Sequence, residues 1–263
     1  MDLPGEHTHR RASLSRAFPL SFSLFTACYR GYLGFVAGTG RIFAIERRPG
    51  PHLLLQRGDA KAKLAVSEAD GPAIRVYDMR SGANEPLDEV RLHGECVTAM
   101  RFNEPANVVV SADARGMLEY WDAAGYGMPQ EGTITFSMKL DTDLYALARA
   151  KTTAHAIDIS ADGSKFVVTC TDSKIRVFRF ASGRLARTFD ESLEAAAEVQ
   201  RGGGEQFRLD PIDYGRRVAV EKELAADLEA PRPNAVFDDS GYFLLYPTLL
   251  GIKVEHWSRG SLC

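Results

Sequence analysis

From residue 61 onward the chain repeats one pattern: a short β-rich run, a tight polar turn, then another β-rich run. The unit is fullest at residues 96–122. There 96–102 reads as a strand, 103–106 as a turn, 108–111 as a strand, 113–116 as a turn, and 117–121 as a strand closed by Asp122. A second copy has strands at 156–159, 166–170 and 175–180, then turns at Ser182-Gly183 into a further strand at 185–189. Partial copies flank these two, at 63–67 and 74–77 before them and at 235–237, 242–246 and 251–254 after. Over 175–180 (Ile-Arg-Val-Phe-Arg-Phe) apolar and basic residues nearly alternate, which predicts a strand with one buried face.

Each full unit is an antiparallel meander of four strands, and internal repeats of this kind ending in Trp-Asp mark the blades of WD-repeat β-propellers. Trp121-Asp122 keeps the pair, while Tyr77-Asp78 and Phe178-Arg179 stand in its place elsewhere. The expected fold is mainly β: a partial propeller of about three to four blades with helical insertions. It spans residues 56–257, with a short tail at 258–263. Within a blade, a large aromatic at the end of the third strand packs between neighbours, a place held by Trp121 and Phe178. A His ahead of the first strand and an Asp in the turn before the third can lock the turn by hydrogen bonds. His93, Asp122 and Asp172 take structural roles on this reading, and nothing in the sequence supports His93 as a catalytic base.

The turns are spaced more widely than a bare repeat of about 40–45 residues requires, so insertions lie between them. Residues 143–150 can form a short helix with Leu144 and Leu147 on one face and Asp141 and Asp143 at its start. The larger insertion spans 190–230. Residues 191–200 are alanine-rich and helical, and Gly202-Gly203-Gly204 ends them. Pro211 then opens a second helix to Leu228 with Tyr214, Val218, Ala225 and Leu228 on one face. On it Arg217 can pair with Glu221 at i,i+4. Arg216 and Arg217 are candidate partner-binding residues, set against the simpler reading of a solvated helix face.

Hydrophobic residues make up 45% of the 263 and charged residues 25%, an ordinary globular balance. A net charge of −3 supplies no global basic field for nucleic acid, and the aromatics sit at core spacing on strands, which argues against base stacking. The four cysteines, Cys28, Cys96, Cys170 and Cys263, form no metal-ligand or redox spacing, and Cys96 and Cys170 read as small core residues. No hydrolase, phosphate-loop, zinc-protease or dinucleotide motif occurs, so no cofactor, metal or catalytic residue is expected. Neither is a membrane span, since the apolar stretch 17–38 is broken by Arg30, Pro19 and glycines.

Residues 1–55 differ from the rest: arginine- and serine-rich with few acids. They read as a poorly ordered or atypical N-terminal segment, with a degraded strand near 41–45 and a targeting segment as alternatives. His7 and His9 on it are weak metal candidates.

Residues 141–145 (Asp-Thr-Asp-Leu-Tyr), 189–192 (Phe-Asp-Glu-Ser), 214–224 (Tyr-Gly-Arg-Arg-Val-Ala-Val-Glu-Lys-Glu-Leu) and 251–254 (Gly-Ile-Lys-Val) resemble the WD-repeat half of the cyclophilins that carry WD repeats. Residues 58–66 and 119–121 agree with them. The resemblance runs from about Gln56 to Val254, and the insertion helix is its more specific mark. It implies a nuclear, intracellular protein whose propeller docks on protein or peptide partners, histones or spliceosomal proteins, beside a separate barrel that isomerises X-Pro bonds. No cyclophilin active-site motif maps onto a residue of this chain, so a catalytic domain is expected to lie outside it. An incomplete fragment with open strand edges is a further alternative.

Overall fold

A computed structural model describes the strand backbone at residues 27–29, 32–36, 42–44 and 52–55. It describes residues 63–68, 71–78, 85–130, 132–202, 208–226 and 234–257 in full. The protein is mainly β, built from antiparallel meanders that follow one another along the chain. The first is β1 (Ala27–Tyr29), β2 (Tyr32–Val36) and β3 (Ile42–Ala44). Sheet I is β4 (His52–Leu55), β5 (Lys63–Ser67), β6 (Ile74–Asp78) and β7 (Asp88–Val90). Sheet II is β8 (Val97–Asn103), β9 (Val108–Asp113) and β10 (Leu118–Asp122). Sheet III is β11 (Ala154–Ile159), β12 (Lys165–Cys170), β13 (Lys174–Arg179) and β14 (Arg184–Asp190). Sheet IV is β15 (Val236–Phe237), β16 (Phe243–Thr248) and β17 (Gly251–His256).

The sheets stack face to face in chain order, because alternate residues of one strand feed two different cores. On β12, Phe166, Val168 and Cys170 join Val108, Val110, Leu118 and Tyr120 between sheets II and III. Val167 points the other way, with Ile175 and Val177, to meet Ala235, Leu244 and Tyr246 of sheet IV. On sheet II, Val109 and Trp121 face Ala65, Ile74 and Val76 of sheet I. The two-residue period of a strand thus serves two interfaces at once. Aromatic rings dominate the II–III core: Tyr120 stacks on Phe180 at 4.9 Å between centroids and Phe166 on Phe178 at 5.0 Å.

First strands lie beside first strands: β4 against β8, β8 against β11, β11 against β15. Polar bonds tie this row of first strands together. Arg101 on β8 reaches Asp158 on β11 at 2.8 Å, and Asp158 accepts the Phe237 N–H of β15 at 2.9 Å. Asn103 donates to the Gly163 carbonyl at 2.9 Å. Gly163 sits at φ +69°, and a Cβ there would come within 2.5 Å of Asn103 Oδ1, so a side chain in the turn after β11 would be strained.

Four features of the sheets bear on the sequence pattern. The boundary at residues 55/56 falls between β4 and β5, which pair from His52–Val66 to Leu55–Lys63, so sheet I begins ahead of it. Strands also occur within 27–44, Ile42–Ala44 coinciding with the degraded strand expected near 41–45. Sheet II has three regular strands among the described residues. Where a fourth is expected, Thr135 hydrogen-bonds the Ala181 carbonyl of sheet III, and the glycine- and proline-containing run 125–132 suits turns rather than a strand. Finally, β13 does not have one wet face: Arg176 is 6% exposed, because neighbouring sheets cover both sides.

The insertions are smaller than expected at one point and more exposed at another. The first is a 3-10 turn, Lys139–Asp141, and one helical turn, α1 (Ala146–Arg149). Leu144 and Leu147 are buried in the II–III core. Asp143 caps no helix; its carboxylate accepts the Leu185 N–H of β14, tying the insertion to sheet III. The second is α2 (Leu193–Gly202) and α3 (Pro211–Ala226). Tyr214 and Val218 are half-buried, Ala225 is exposed, and Leu228 lies outside the described residues.

Candidate functional site

An antiparallel meander brings the start of its first strand and the turn between its second and third strands to the same end. At that end of sheet II lie His93, ahead of β8, and the β9–β10 turn that begins at Asp113. His93 Nδ1 stands 3.3 Å from Asp113 Oδ2, and its Nε2 stands 2.7 Å from Ser111 Oγ. An ionised carboxylate has no proton to offer, so Nδ1–H donates to Asp113, and Nε2 hydrogen-bonds the Ser111 hydroxyl. Asp113 Oδ1 also accepts the backbone N–H groups of Arg115 and Met117, each at 2.9 Å. Burial alone raises the Asp113 pKa. The His93 bond and the two backbone donors outweigh it, and the carboxyl titrates below its ordinary 3.8.

A Ser–His–Asp chain has the connectivity of a hydrolase triad. Here it performs no such chemistry, because Ser111 is 0% exposed and the His93 side chain is sealed as well. No substrate carbonyl can reach the hydroxyl. The array satisfies buried polar groups and fixes the turn.

Sheet III solves the same problem with different groups. Thr152 stands ahead of β11 and its hydroxyl accepts the Asp172 N–H at 3.2 Å. Asp172 accepts two bonds from Arg176, Nη1 to Oδ1 at 3.0 Å and Nη2 to Oδ2 at 2.7 Å. Burial pushes the Asp172 pKa up, and the Arg176 pair more than reverses it. Trp121 and Phe178 both end third strands and both face the preceding sheet. The Trp121 Nε1–H finds no hydrogen-bond acceptor among the described residues. Asp122 closes a different turn, accepting from the Asn107 side chain at 3.0 Å and the Gly125 N–H at 2.8 Å.

Between these two locks lies an open cleft of about 680 Å³. Leu92, Gly94, Glu119 and the turn residues Asp113, Ala114, Arg115 and Met117 of sheet II line it, together with Ala148, Lys151, Thr152 and Thr153 ahead of β11. Its size lies within the range of small-ligand and peptide side-chain pockets. Gly116 (φ +79°) presses against the far wall: a Cβ there would meet the Thr152 carbonyl at 2.4 Å and the Ala148 nitrogen at 2.9 Å. The Cys170 thiol nearby is buried and pushed up to about 11, far from a reactive thiolate.

The candidate partner-binding arginines separate. Arg217 donates to the Leu249 carbonyl at 3.0 Å and fastens α3 to the β16–β17 turn, in place of the pair expected with Glu221. Arg216 is exposed and lies 3.7 Å from Asp213. Sequence reasoning located His93 and Asp172 but missed Ser111, Arg176 and the cleft. A signal existed for Arg176, four residues after Asp172 on an apolar strand. Ser111 carried none, since its partner is 18 residues away. Among the described residues no group of three or more His, Cys, Asp or Glu is placed to hold a metal, and no helix is long and apolar enough to cross a membrane.

No family model matches the chain. Peptidyl-prolyl cis-trans isomerase CYP71 of Arabidopsis thaliana is 46% identical to it over 199 residues, 76% of this chain and 31% of that protein. The peptidylprolyl isomerase domain and WD repeat-containing protein 1 of Homo sapiens is 40% identical over 198 residues, 75% of this chain and 30% of that protein. The chain therefore spans about a third of the length of these relatives. Among solved structures, Sqt1 of Saccharomyces cerevisiae superposes with a TM-score of 0.52 at 12% identity, over 88% of this chain and 54% of that one, a likeness of fold.

Proposed function

We propose that the chain is a protein-interaction scaffold: a partial WD-repeat β-propeller, the WD-repeat portion of a nuclear cyclophilin-type protein. One observation carries the reading. The sheets stack in chain order with first strand against first strand, the layout of blades about an axis, and this leaves turns and loops as the surface offered to others. Trp121-Asp122 at the end of a third strand supports the same layout, as do the names of the relatives. Polar chemistry that resembles catalysis is sealed inside and spent on turns. The partners are proteins or peptides, of the chromatin or spliceosomal kind that the resemblance implies.

A second reading draws on the relatives' names, which include prolyl isomerisation. The two separate in a proline-isomerisation assay on the purified chain. The scaffold reading expects the uncatalysed rate; a rate above it that scales with protein concentration overturns that reading in favour of an enzyme.

A further inference from the structure

The cleft between sheets II and III has a composition that selects its occupant. Leu92, 39% exposed, and Met117 give it an apolar wall. The Thr152 and Thr153 side chains and Gly94 stand around them. Four charged residues line it, and their states differ. Asp113 is spent on His93 and the turn. Glu119 is held by the Lys139 ammonium, which also lies over the Tyr145 ring at 4.8 Å. Among the described residues the Arg115 guanidinium pairs with Glu95, with the two side chains 69% and 41% exposed. Such pairs are weak and easily exchanged. Lys151 is exposed and has no ion-pair partner among the described residues. Both carboxylates are thus occupied inside, while the two cations at the rim are available.

We infer that this cleft binds an acidic peptide segment of another protein, seating an aliphatic side chain against Leu92 and Met117 and placing carboxylates on Lys151 and Arg115. The inference rests on the scaffold reading and names the chemistry of its partner. No aromatic ring lines the cleft, so it lacks the stacking platform of a single-strand binder, which favours a peptide over a nucleic acid. The Gly116 contact with Thr152 and Ala148 fixes the distance between the two walls, so the site exists before the peptide arrives. The charged rim makes the affinity fall as salt rises.

Fluorescence anisotropy on the full chain tests this with a dye-labelled peptide in which a leucine is flanked by glutamates on both sides. The comparison peptides replace the glutamates by lysines, or the leucine by alanine. We expect the acidic leucine peptide to bind, and each replacement to weaken it by about tenfold or more. The double variant Arg115→Glu/Lys151→Glu, with an unchanged thermal melt, is expected to lose the acidic peptide and gain the lysine one. Equal binding of both peptides by the unaltered chain, an unchanged affinity in the double variant, or displacement of the peptide by oligouridylate each overturns the inference. Tight binding of the lysine peptide alone removes this site assignment and leaves the scaffold reading in place. Isomerase activity in the assay above removes the reading itself.

Discussion

Sheets II and III face one problem at the same place and solve it with different chemistry. Each must hold a turn closed beside the start of its first strand. Sheet II uses a side-chain relay, Ser111 to His93 to Asp113, assembled from residues 18 and 20 apart. Sheet III uses a local ion pair, Asp172 with Arg176, four residues apart on one hairpin. The contrast teaches that position, more than residue type, is what a repeat preserves: any set of groups that satisfies the buried donors will serve. The aromatic ends agree, Trp121 in one sheet and Phe178 in the other, both turned to the preceding sheet.

The comparison breaks most visibly at the ion pair. Asp172→Ala leaves the Arg176 guanidinium, 7% exposed, without its partner. We expect a loss of about 3–5 kcal/mol, measured by urea unfolding, and recovery of most of it in Asp172→Ala/Arg176→Met, because removing both charges removes the stranded one. A double variant no more stable than the single one contradicts this account. His93→Ala is gentler, since Asp113 keeps its two backbone donors: about 1–3 kcal/mol for the hydrogen-bonding groups left unsatisfied.

Trp121→Phe sharpens the parallel further. The indole N–H makes no hydrogen bond among the described residues, and Phe178 fills the matching place in sheet III. The variant is expected to lose about 1–2 kcal/mol, the cost of the small void the smaller ring leaves. A loss as large as that of Asp172→Ala shows that the indole has a role Phe178 does not share.

Acid gives the smallest signal. Asp113 and Asp172 both titrate below their ordinary 3.8 in the folded protein. Their stabilisation is complete above that value and is lost as pH falls through the folded pKa. Asp162, lowered to about 2, extends the loss to the bottom of that range. Unfolding free energy measured down to about pH 2 should therefore be level at first and then decline. Asp113→Asn and Asp172→Asn should each flatten the decline. Stability that rises on acidification contradicts the sign.

Much of this was legible in order. Strand positions followed from β-rich runs and turn residues, because both are local preferences of the backbone. Lys63–Ser67 and the turn at Ser182-Gly183 fall where the pattern puts them. The burial of Arg176 was not legible, because alternation of apolar and basic residues looks the same whether the second face meets water or another sheet. Arg217 is similar. Its charge suggested an outward role, and only the approach of the β16–β17 turn gave its guanidinium a carbonyl to bind.

The sequence by itself determined the meanders, their order and the residues that close their turns, since hydrogen bonding between consecutive strands needs only neighbours along the chain. The stacking of the sheets was decided in three dimensions. Which face each strand shows to which neighbour, which hydroxyl completes the relay with His93, and the cleft beside Lys151 depend on contacts between residues distant in sequence. Such contacts form only when one sheet's side chains fill the spaces left by the next, and no local preference encodes that fit.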